Sequence, residues 1–450
     1  MIRRTILEWR YLPVEPASPG ALTRPHADWL LAVARASPLG GSDGIRILTD
    51  HGNRLRAQQV VGVIATIGCT LEILPKIETL GDGESAPSRG AIRRQLVHML
   101  AVAHDLDITS GSLTDLDWQR DDLLEILVGL FARKLADALR KGMPRRYLPY
   151  EDDLRALRGS LDAKRQFSTL SASPQYLACR FDTLSSDIML NQIMKAAVQR
   201  LMRLSHSAEN LRRLHELTFA YADIRSVAPA SLRWEAVVLD RTNEQWRNLL
   251  SLARLLLADR FQTTSAGPEQ GFSLLFPMNT LFEEYVGRLL QRALAGRGLH
   301  VQLQGGRLYC LEDEGGIRRF QTKPDILVRR GAETLLILDT KWKSIVPRSH
   351  DPKQGINQAD VYQMMAYGQL YGCSRLILLY PHHAKLGSCP SETRHRIAIE
   401  GCQDSLTVGS IDVSSHTAAR RCLEFLTRDI WMTANSGHSS AGSGLAQDAA

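Results

Sequence analysis

The chain has 450 residues, of which 44% are hydrophobic and 23% charged, so it can form two or three domains that each bury a core. Its net charge of +7 and pI of about 9.1 suit a polyanionic partner. Seven scattered cysteines without a C-x-x-C pair indicate neither a disulfide framework nor a zinc site. No apolar stretch approaches the ~18 residues of a membrane span, and no apolar signal region follows the first residues. We therefore expect a cytoplasmic protein without a membrane partner.

The first part of the chain has the pattern of a β-rich domain. Val60–Ile64 and Cys69–Leu74 are short apolar runs typical of strands, and Pro75 ends the second run. The segment from Trp29 to Ala36 is predicted to be a helix. The chemistry of these residues alone does not indicate catalysis.

A helical region is predicted after the glycine-rich loop Gly81–Gly90. Apolar residues recur there at helical spacing, near residues 92–100, 126–139, 193–202 and 244–260. Basic residues between 140 and 165 are interleaved with Tyr147 and Tyr150. This stretch either follows a phosphate backbone or forms a mixed solvated surface, because acidic residues interrupt it. Thr263–Gly271 has the composition of a domain junction.

A β-hairpin is predicted in the C-terminal half of the chain. The apolar runs Ile326–Val328 and Leu335–Leu338 are separated by a hairpin-length segment that contains Gly331. The second run is continuous rather than alternating, which is typical of a buried central strand.

Two carboxylates and an ammonium are predicted to meet at the end of this hairpin. A turn centred on Ala332 would place Asp325 opposite Asp339, with β-carbons roughly 4.5–5.5 Å apart. Lys341 follows two residues after Asp339 and therefore lies on the same face of the strand. Such close carboxylates repel each other unless a cation lies between them.

This arrangement suits metal-assisted hydrolysis of a phosphodiester. Mg²⁺ takes oxygen ligands and commonly uses one or two carboxylates together with substrate phosphate oxygens. Lys341 can position or deprotonate a water molecule and offset charge on the transition state.

A helix and two strands are predicted after the hairpin. Gln363 and Tyr367 are four residues apart and share one face of the helix. Strands are predicted at Arg375–Pro381 and His395–Glu400. The helix that carries Gln363 and Tyr367 is expected to pack between the hairpin and the first of these strands. His382 and His383 lie between the strands, and we predict a loop there rather than a metal pair.

These motifs resemble the PD-(D/E)xK nuclease signature. Pro324-Asp325 and Asp339-Thr340-Lys341 correspond to its two parts, and Gln363 with Tyr367 is similar to the Q-x-x-x-Y element of RecB-like members. The resemblance implies that Asp325 and Asp339 bind Mg²⁺, with the Thr340 carbonyl as a further ligand, and that Lys341 acts on the attacking water. It also implies that Gln363 and Tyr367 orient the site or contact the DNA backbone.

The role of Glu283 stays open at this point. In nucleases of this kind the first core helix often carries a glutamate that faces the metal, so the resemblance implies an additional catalytic ligand. The alternative is a capping box, in which Thr280 and Glu283 bond the helix N-terminus.

The chain as a whole resembles the McrC family. The similar motifs occur in family order, at Val61–Ile64, Leu71–Ile77, Tyr150-Glu151, Leu157–Leu161, Phe181-Asp182 and Leu190-Asn191. The resemblance implies a DNA endonuclease subunit of a modification-dependent (5-methylcytosine-type) restriction system. It implies that an McrB-type AAA+ GTPase recognises and translocates double-stranded DNA, while the N-terminal part of this chain engages the GTPase ring. The sequence has no P-loop motif, so GTP would be used only by the partner.

We therefore expect an α+β multidomain protein. The predicted parts are a β-rich, partner-binding domain in residues 1–80, a helical middle region in residues 81–265, a PD-(D/E)xK (restriction-endonuclease-like) α/β domain with a mixed sheet in residues 266–433, and a disordered tail in residues 434–450. Two alternative functions are a non-catalytic adaptor that stimulates an AAA+ GTPase and a stand-alone RecB-like nuclease.

Overall fold

The computed structural model describes residues 2–14, 22–41, 46–66, 68–77, 88–106, 118–241, 243–257, 271–345, 350–398 and 404–430. Two compact units are present, the first from residues 1–108, 117–123 and 260–450 and the second from residues 109–116 and 124–259. Three predicted segments lie outside the described residues, wholly or in large part. They are residues 81–87 of the glycine-rich loop, residues 263–270 of the domain junction and the tail of residues 434–450. No helix in the described ranges is both long enough and apolar enough to span a membrane.

The N-terminal part of the first unit contains strands and two helices. They are β1 (Ile2–Leu7), β2 (Tyr11–Pro13), α1 (Arg24–Ala36), β3 (Leu48–Asp50), β4 (Arg54–Ala57), β5 (Val60–Thr66), β6 (Cys69–Leu74) and α2 (Arg89–Ala103). The two predicted strands correspond to β5 and β6. Helix α1 begins five residues before the predicted start at Trp29, because Pro25 lies in the first turn, where its missing N–H costs nothing.

The second unit is not purely helical. Its elements are α3 (Leu123–Arg140, apart from its first residue), β7 (Arg146–Leu154), β8 (Ser160–Leu161), α4 (Ala163–Ser168), β9 (Leu177–Ser185), α5 (Met189–Leu204), α6 (Ala208–Ala220) and α7 (Arg247–Leu257). The strands form a sheet in the order β7-β9-β8. Most side chains of β7 are exposed on both faces, so the strand lacks the alternation by which a sequence reveals a half-buried strand.

The remainder of the first unit contains most of its strands. The elements are β10 (Phe272–Pro277), α8 (Met278–Leu294), β11 (His300–Leu303), β12 (Tyr309–Glu312), β13 (Arg318–Gln321), β14 (Ile326–Arg330), β15 (Glu333–Thr340), α9 (Gln358–Tyr371), β16 (Arg375–Pro381), β17 (Glu392–Arg396), β18 (Ser405–Ile411) and α10 (His416–Leu426). The fold is therefore a mixture of helices and several sheets, as the sequence predicts.

A four-stranded sheet joins the two ends of the first unit. Its strand order is β1-β6-β5-β10, so β10 pairs with β5 although about 200 residues of chain separate them. The predicted division between residues 1–80 and 266–433 therefore separates neighbouring strands of one sheet. Strands β5 and β10 pack closely because residue 62 is a glycine, with φ +134°. A Cβ added at Gly62 would lie 1.9 Å from the Leu274 carbonyl oxygen.

A six-stranded mixed sheet carries the predicted hairpin. The order is β11-β14-β15-β16-β18-β17, with β14 antiparallel to β15 and with β15, β16 and β18 parallel. The three parallel strands end at the same edge, which is where ligands bind in sheets of this kind. Helix α9 packs on β15 and β16, as predicted; Asn357 caps its start and Gly372, at φ +59°, ends it.

Replacing Gly62 by alanine is expected to destabilise the first unit by more than about 3 kcal/mol, because backbone strain and a displaced strand add together. Gly331→Ala is the matched control. Its φ is +59° but no atom lies within 4 Å of the added Cβ, so only the left-handed penalty of about 1–2 kcal/mol applies. Equilibrium urea unfolding measures both changes. Equal losses of stability would contradict the proposed steric role of Gly62.

Candidate active site

The register of the hairpin brings the predicted acidic residues to one end. Val328 pairs with Leu336, as a turn centred on Ala332 requires. A bulge lies between Val328 and Arg329, and beyond it Arg330 pairs with Glu333. The connection is therefore a two-residue turn. Its centre lies between Gly331 and Ala332 and not on Ala332, so the predicted centre is wrong by half a residue. The bulge lies between the turn and the paired apolar runs, and therefore the predicted register is kept at the end that carries the acids.

The carboxylates of Asp325 and Asp339 lie in one buried environment. The Thr340 backbone N–H and hydroxyl donate hydrogen bonds to Asp325 Oδ2 at 2.7 and 2.9 Å. Burial raises the pKa of Asp325, and these hydrogen bonds only partly offset the effect. Burial and then repulsion from Asp325 raise the pKa of Asp339 to about 6, although the Lys341 ammonium lies 2.5 Å from Asp339 Oδ2.

Lys341 carries the positive charge of the site. Burial works to lower its pKa, but the attraction of Asp339 and the other nearby carboxylates outweighs burial and raises the pKa. The side chain therefore holds its proton near neutral pH. Of the two roles predicted for this lysine, the charged ammonium favours positioning water and offsetting phosphate charge over deprotonating water.

Glu283 is a third acidic group, and its capping-box alternative is wrong. Helix α8 begins at Met278 after the cap residue Pro277, so Thr280 is inside the helix and cannot cap it. Burial and then repulsion from Asp325 raise the pKa of Glu283 to about 7, while a hydrogen bond with the Gln304 side chain opposes the shift. Glu283 is therefore close enough to Asp325 for the two carboxyl groups to repel each other.

The predicted pair on α9 lies beside the segment that leads to Asp325. Gln363 Nε2 donates a hydrogen bond to the Tyr367 hydroxyl oxygen at 2.7 Å, and the Tyr367 ring is buried in the core under the sheet. Burial raises the pKa of Tyr367, partly offset by hydrogen bonds from Gln363 and from the backbone of Lys323. Of the two predicted roles, the burial of Tyr367 favours orienting the site over contacting a DNA backbone.

A cavity of about 580 Å³ lies at the site, and the buried Asp339 is not among the residues that line it. Asp325, Thr340, Lys341 and Glu283 line it. Further lining residues come from the N-terminal sheet and from the ends of β16 and β18: Glu8, Trp9, Gln59, Lys76, Ile77, Pro381, His382, His383 and Val413. No local sequence pattern indicates the N-terminal lining residues, because only pairing between distant strands brings them to the cavity.

The two adjacent histidines follow β16 in a loop, as predicted. A ring nitrogen of His382 contacts the Ser410 hydroxyl at 2.7 Å, whereas His383 contacts the Ile345 carbonyl oxygen at the same distance. The two rings therefore bind different partners and do not form a shared ligand pair. Lys343, for which the sequence predicts no role, also lines the cavity and pairs with Asp360 of α9 at 2.5 Å.

The donor atoms of this site suit a hard divalent cation. Asp325, Asp339 and the Thr340 carbonyl offer oxygen only, which is the set that Mg²⁺ prefers over softer metals. Burial raises the pKa of both carboxyls, and repulsion from Asp325 adds to the increase for Asp339, so a cation between them would relieve the cost. Within the described ranges, no cluster of three or more His, Cys, Asp or Glu side chains has metal-binding geometry.

Replacing Glu283 by glutamine is expected to stabilise the metal-free protein at pH 8. The folded pKa of about 7 exceeds the usual 4.5, so the folded state binds more protons than the unfolded state between these values, and stability falls as pH rises through this window. Allowing for the partial exposure of the carboxyl, the Tm gain at pH 8 exceeds that at pH 5 by roughly 2 °C.

Thermal unfolding in EDTA at both pH values measures this difference. The matched control is Glu333→Gln, which removes an exposed glutamate at the hairpin turn and is expected to change Tm equally at both pH values. A Glu283→Gln gain that is independent of pH would contradict the electrostatic origin.

The chain is similar to proteins of one restriction system. A family model for the McrBC 5-methylcytosine restriction system component matches residues 55–381. The fold is similar to a refined half-complex from the tetradecameric assembly of Thermococcus gammatolerans McrB AAA+ hexamers with bound McrC, with 20% identity, a TM-score of 0.69, and coverage of 94% of this chain and 100% of that chain.

A second similar structure is the cryo-EM structure of the Thermococcus gammatolerans McrBC complex, with 24% identity, a TM-score of 0.50, and coverage of 65% of this chain and 88% of that chain. No curated protein sequence matches the chain. The family model spans well over half of the residues of the chain. It confirms the resemblance to the McrC family that the sequence motifs indicate. The chain therefore belongs to the McrBC 5-methylcytosine restriction system component family.

Proposed function

We propose that this chain is the DNA endonuclease subunit of a modification-dependent restriction system and hydrolyses phosphodiesters with Mg²⁺. The observation that carries the proposal is the convergence of Asp325, Asp339 and Lys341 at the carboxyl edge of parallel strands, where Asp325 and Lys341 line the cavity and Lys341 pairs with the buried Asp339. Membership of the McrBC family supports it, because such systems restrict DNA. A cavity that is open to solvent at a strand edge also suits a backbone phosphate.

Asp325 and Asp339 would hold the magnesium ion together with the Thr340 carbonyl, and Glu283 is the nearest further carboxyl. Bound magnesium supplies positive charge that polarises the scissile phosphate and lowers the pKa of a bound water. The Thr340 hydrogen bonds fix Asp325 in one orientation, which prepares its carboxylate for a ligand.

Lys341 would position the attacking water and offset charge on the phosphate, since its ammonium remains protonated. Tyr367 and Gln363 would act indirectly, through the backbone that leads to Asp325. Their hydroxyl–amide pair lies against the backbone of Lys323, two residues before Asp325, and so limits the movement of that carboxylate.

We also propose that the chain acts with an AAA+ GTPase that recognises and translocates double-stranded DNA. The similar Thermococcus gammatolerans McrC is bound to McrB AAA+ hexamers, and the present sequence has no P-loop of its own. Nucleotide hydrolysis would therefore take place in the partner, and this chain would supply the cleavage.

Asp339→Ala and Lys341→Ala are each expected to reduce DNA cleavage at least 10³-fold, because each removes a group that acts on the reacting phosphate. Cleavage of methylated plasmid by the complex with its GTPase, with GTP and Mg²⁺, measures the loss. Assembly with the partner, followed by size-exclusion chromatography, is expected to be unchanged.

Lys353→Ala is the matched control, since Lys353 is an exposed lysine of the same region outside the cavity. Chelation by EDTA is expected to abolish cleavage by the wild-type complex. Full cutting by either active-site variant would refute the assignment, and stimulation of the GTPase without any metal-dependent cutting would instead identify an adaptor. Cutting by the isolated chain at low concentration would identify a stand-alone nuclease.

The surface that binds the GTPase can be tested separately. The resemblance places it in residues 1–80, but the second unit exposes the facing cross-strand pair Tyr147 and Leu184, which are 66% and 49% exposed. Contiguous exposed apolar side chains are typical of interaction surfaces, and we propose that this pair belongs to the surface that binds the GTPase. Tyr147→Ser with Leu184→Ser is therefore expected to weaken binding of the GTPase at least 10-fold.

Tyr11→Ser is the comparison, since Tyr11 is 41% exposed on the N-terminal β2. Titration of each variant against the labelled GTPase gives the two affinities. Greater loss with Tyr11→Ser would favour the N-terminal surface and contradict the assignment to the second unit.

A further inference from the structure

Trp342, the residue after Lys341, is held by a part of the chain outside the six-stranded sheet. Strand β15 ends at Thr340, and Lys341 and Trp342 follow in irregular backbone. The Lys341 backbone N–H donates to the Leu379 carbonyl oxygen at 2.9 Å, which is its tie to β16. The buried indole N–H of Trp342 donates instead to Glu8 Oε1 at 2.7 Å.

Glu8 is itself fixed in place by the N-terminal sheet. It follows β1, and its backbone N–H donates to the Leu74 carbonyl oxygen of β6 at 2.9 Å. Glu8 Oε1 also accepts a hydrogen bond from the Lys76 backbone N–H at 3.0 Å. The side chain is only 2% exposed, so its carboxylate is an acceptor that water does not replace.

A second contact holds the backbone of the same tryptophan. Gln59, located between β4 and β5, donates from Nε2 to the Trp342 carbonyl oxygen at 2.9 Å and to Asn279 Oδ1 at 2.9 Å. Asn279 lies one helical turn before Glu283 on α8. Gln59 therefore connects the segment after Lys341 to the helix that carries the third acidic group of the cavity.

Trp342 is thus fixed at both ends, its indole by Glu8 and its carbonyl by Gln59. The Phe282 ring, 5.2 Å away in an edge-on arrangement, packs against the indole. Because Lys341 is covalently joined to this fixed residue on one side and to the end of β15 on the other, its backbone has little freedom to move.

We propose that Glu8, with Gln59, is a positioning residue for Lys341, so that the N-terminal sheet completes the nuclease site through Trp342. This inference rests on the proposed nuclease function. A carboxylate–indole hydrogen bond across the molecule sets where the ammonium stands relative to Asp339. A displacement of about 1 Å at such a group can cost about 10²-fold in rate.

The activity test compares Glu8→Ala with Glu8→Gln in the complex with the GTPase, GTP and Mg²⁺. Glu8→Gln keeps an oxygen acceptor for Trp342 and Lys76 and is expected to retain kcat within about 3-fold. Glu8→Ala is expected to lower kcat about 10–100-fold while KM for DNA and the magnesium requirement change less than about 2-fold, because Glu8 Oε1 bonds Trp342 and Lys76 and acts on the site through Lys341.

Thr5→Val is the matched control for a weakened N-terminal sheet. Thr5 lies on the same strand β1 and donates to Glu72 Oε2 at 3.0 Å, but it has no contact with Trp342. Its kcat is expected to equal that of the wild type. A comparable fall in kcat for Thr5→Val would show that general loosening of the sheet, rather than the Glu8 contact, is responsible, and would overturn the proposal.

Trp342→Phe keeps the protein testable if Glu8→Ala does not fold. It removes the indole N–H but keeps an aromatic ring against Phe282 and leaves Glu8 bonded to Lys76. It is expected to lower kcat as Glu8→Ala does, and the double variant is expected to be no slower than either single variant, since both remove one interaction. Additive losses would overturn the proposal.

A spectroscopic readout makes the test independent of cleavage. In the full chain labelled with ¹⁵N-tryptophan, the Trp342 indole signal is the one of seven that disappears in Trp342→Phe. It is expected to move upfield in Glu8→Ala and to remain near its wild-type position in Glu8→Gln and Thr5→Val. An unmoved signal in Glu8→Ala would show that the hydrogen bond is absent.

The two proposals fail in different ways. If Lys341→Ala still cuts DNA, the nuclease assignment is wrong whatever Glu8 does. If Lys341→Ala is inactive while folded Glu8→Ala cuts within 2-fold of the wild type, only the positioning role is wrong.

Discussion

The structure of the site depends on burying three carboxyl groups close together, with the Lys341 ammonium paired to one of them. Asp325, Asp339 and Glu283 share one environment with Lys341, and for each acid burial is the largest cause that raises the pKa. An isolated buried carboxylate is costly, and a second one beside it is more so. The hairpin strands and helix α8 hold these groups together, and under the proposed function a divalent cation would offset their charge.

The rigidity that this requires comes from two sheets rather than one. The six-stranded sheet places the acids, and the four-stranded sheet holds the segment after the lysine through Glu8. The four-stranded sheet has an anchor of its own, a buried ion pair between Glu72 and Arg93 at 2.7 Å. Glu72 also accepts a hydrogen bond from the Leu123 backbone N–H, and Arg93 donates to the Trp118 carbonyl oxygen. Because every charge in this group is paired, it fixes geometry without leaving a buried charge unsatisfied.

The parts of the site that the sequence predicts are those that local chain geometry controls. Asp325, Asp339 and Lys341 could be placed together because a strand alternates its side chains and a hairpin sets its own register. Gln363 and Tyr367 followed from helical spacing. The mixed sheet and the packing of α9 also agree with the predicted order of elements.

The parts that the sequence does not predict depend on contacts between distant segments or on small shifts in backbone. Pairing of β10 with β5 joins segments that sequence order assigns to different domains, and no local pattern encodes that partner. The capping box failed because Thr280 and Glu283 match the motif two residues after the helix has begun. Glu8 carries no local signal at all, since a glutamate after a short strand is ordinarily solvated.

The basic stretch of the second unit shows how charge is treated differently away from the site. Arg165 lies 3.8 Å from Glu151 and pairs with Asp153, while Arg180 pairs with Glu151 and Asp162 at 3.0 and 2.6 Å. These neighbours neutralise Arg165 within the basic stretch and Arg180 on β9, so around Arg165 the mixed solvated surface fits better than a track for a phosphate backbone. The carboxyls of the site differ from this surface, because burial rather than an ionic partner is the largest cause of the pKa shifts of Asp325, Asp339 and Glu283.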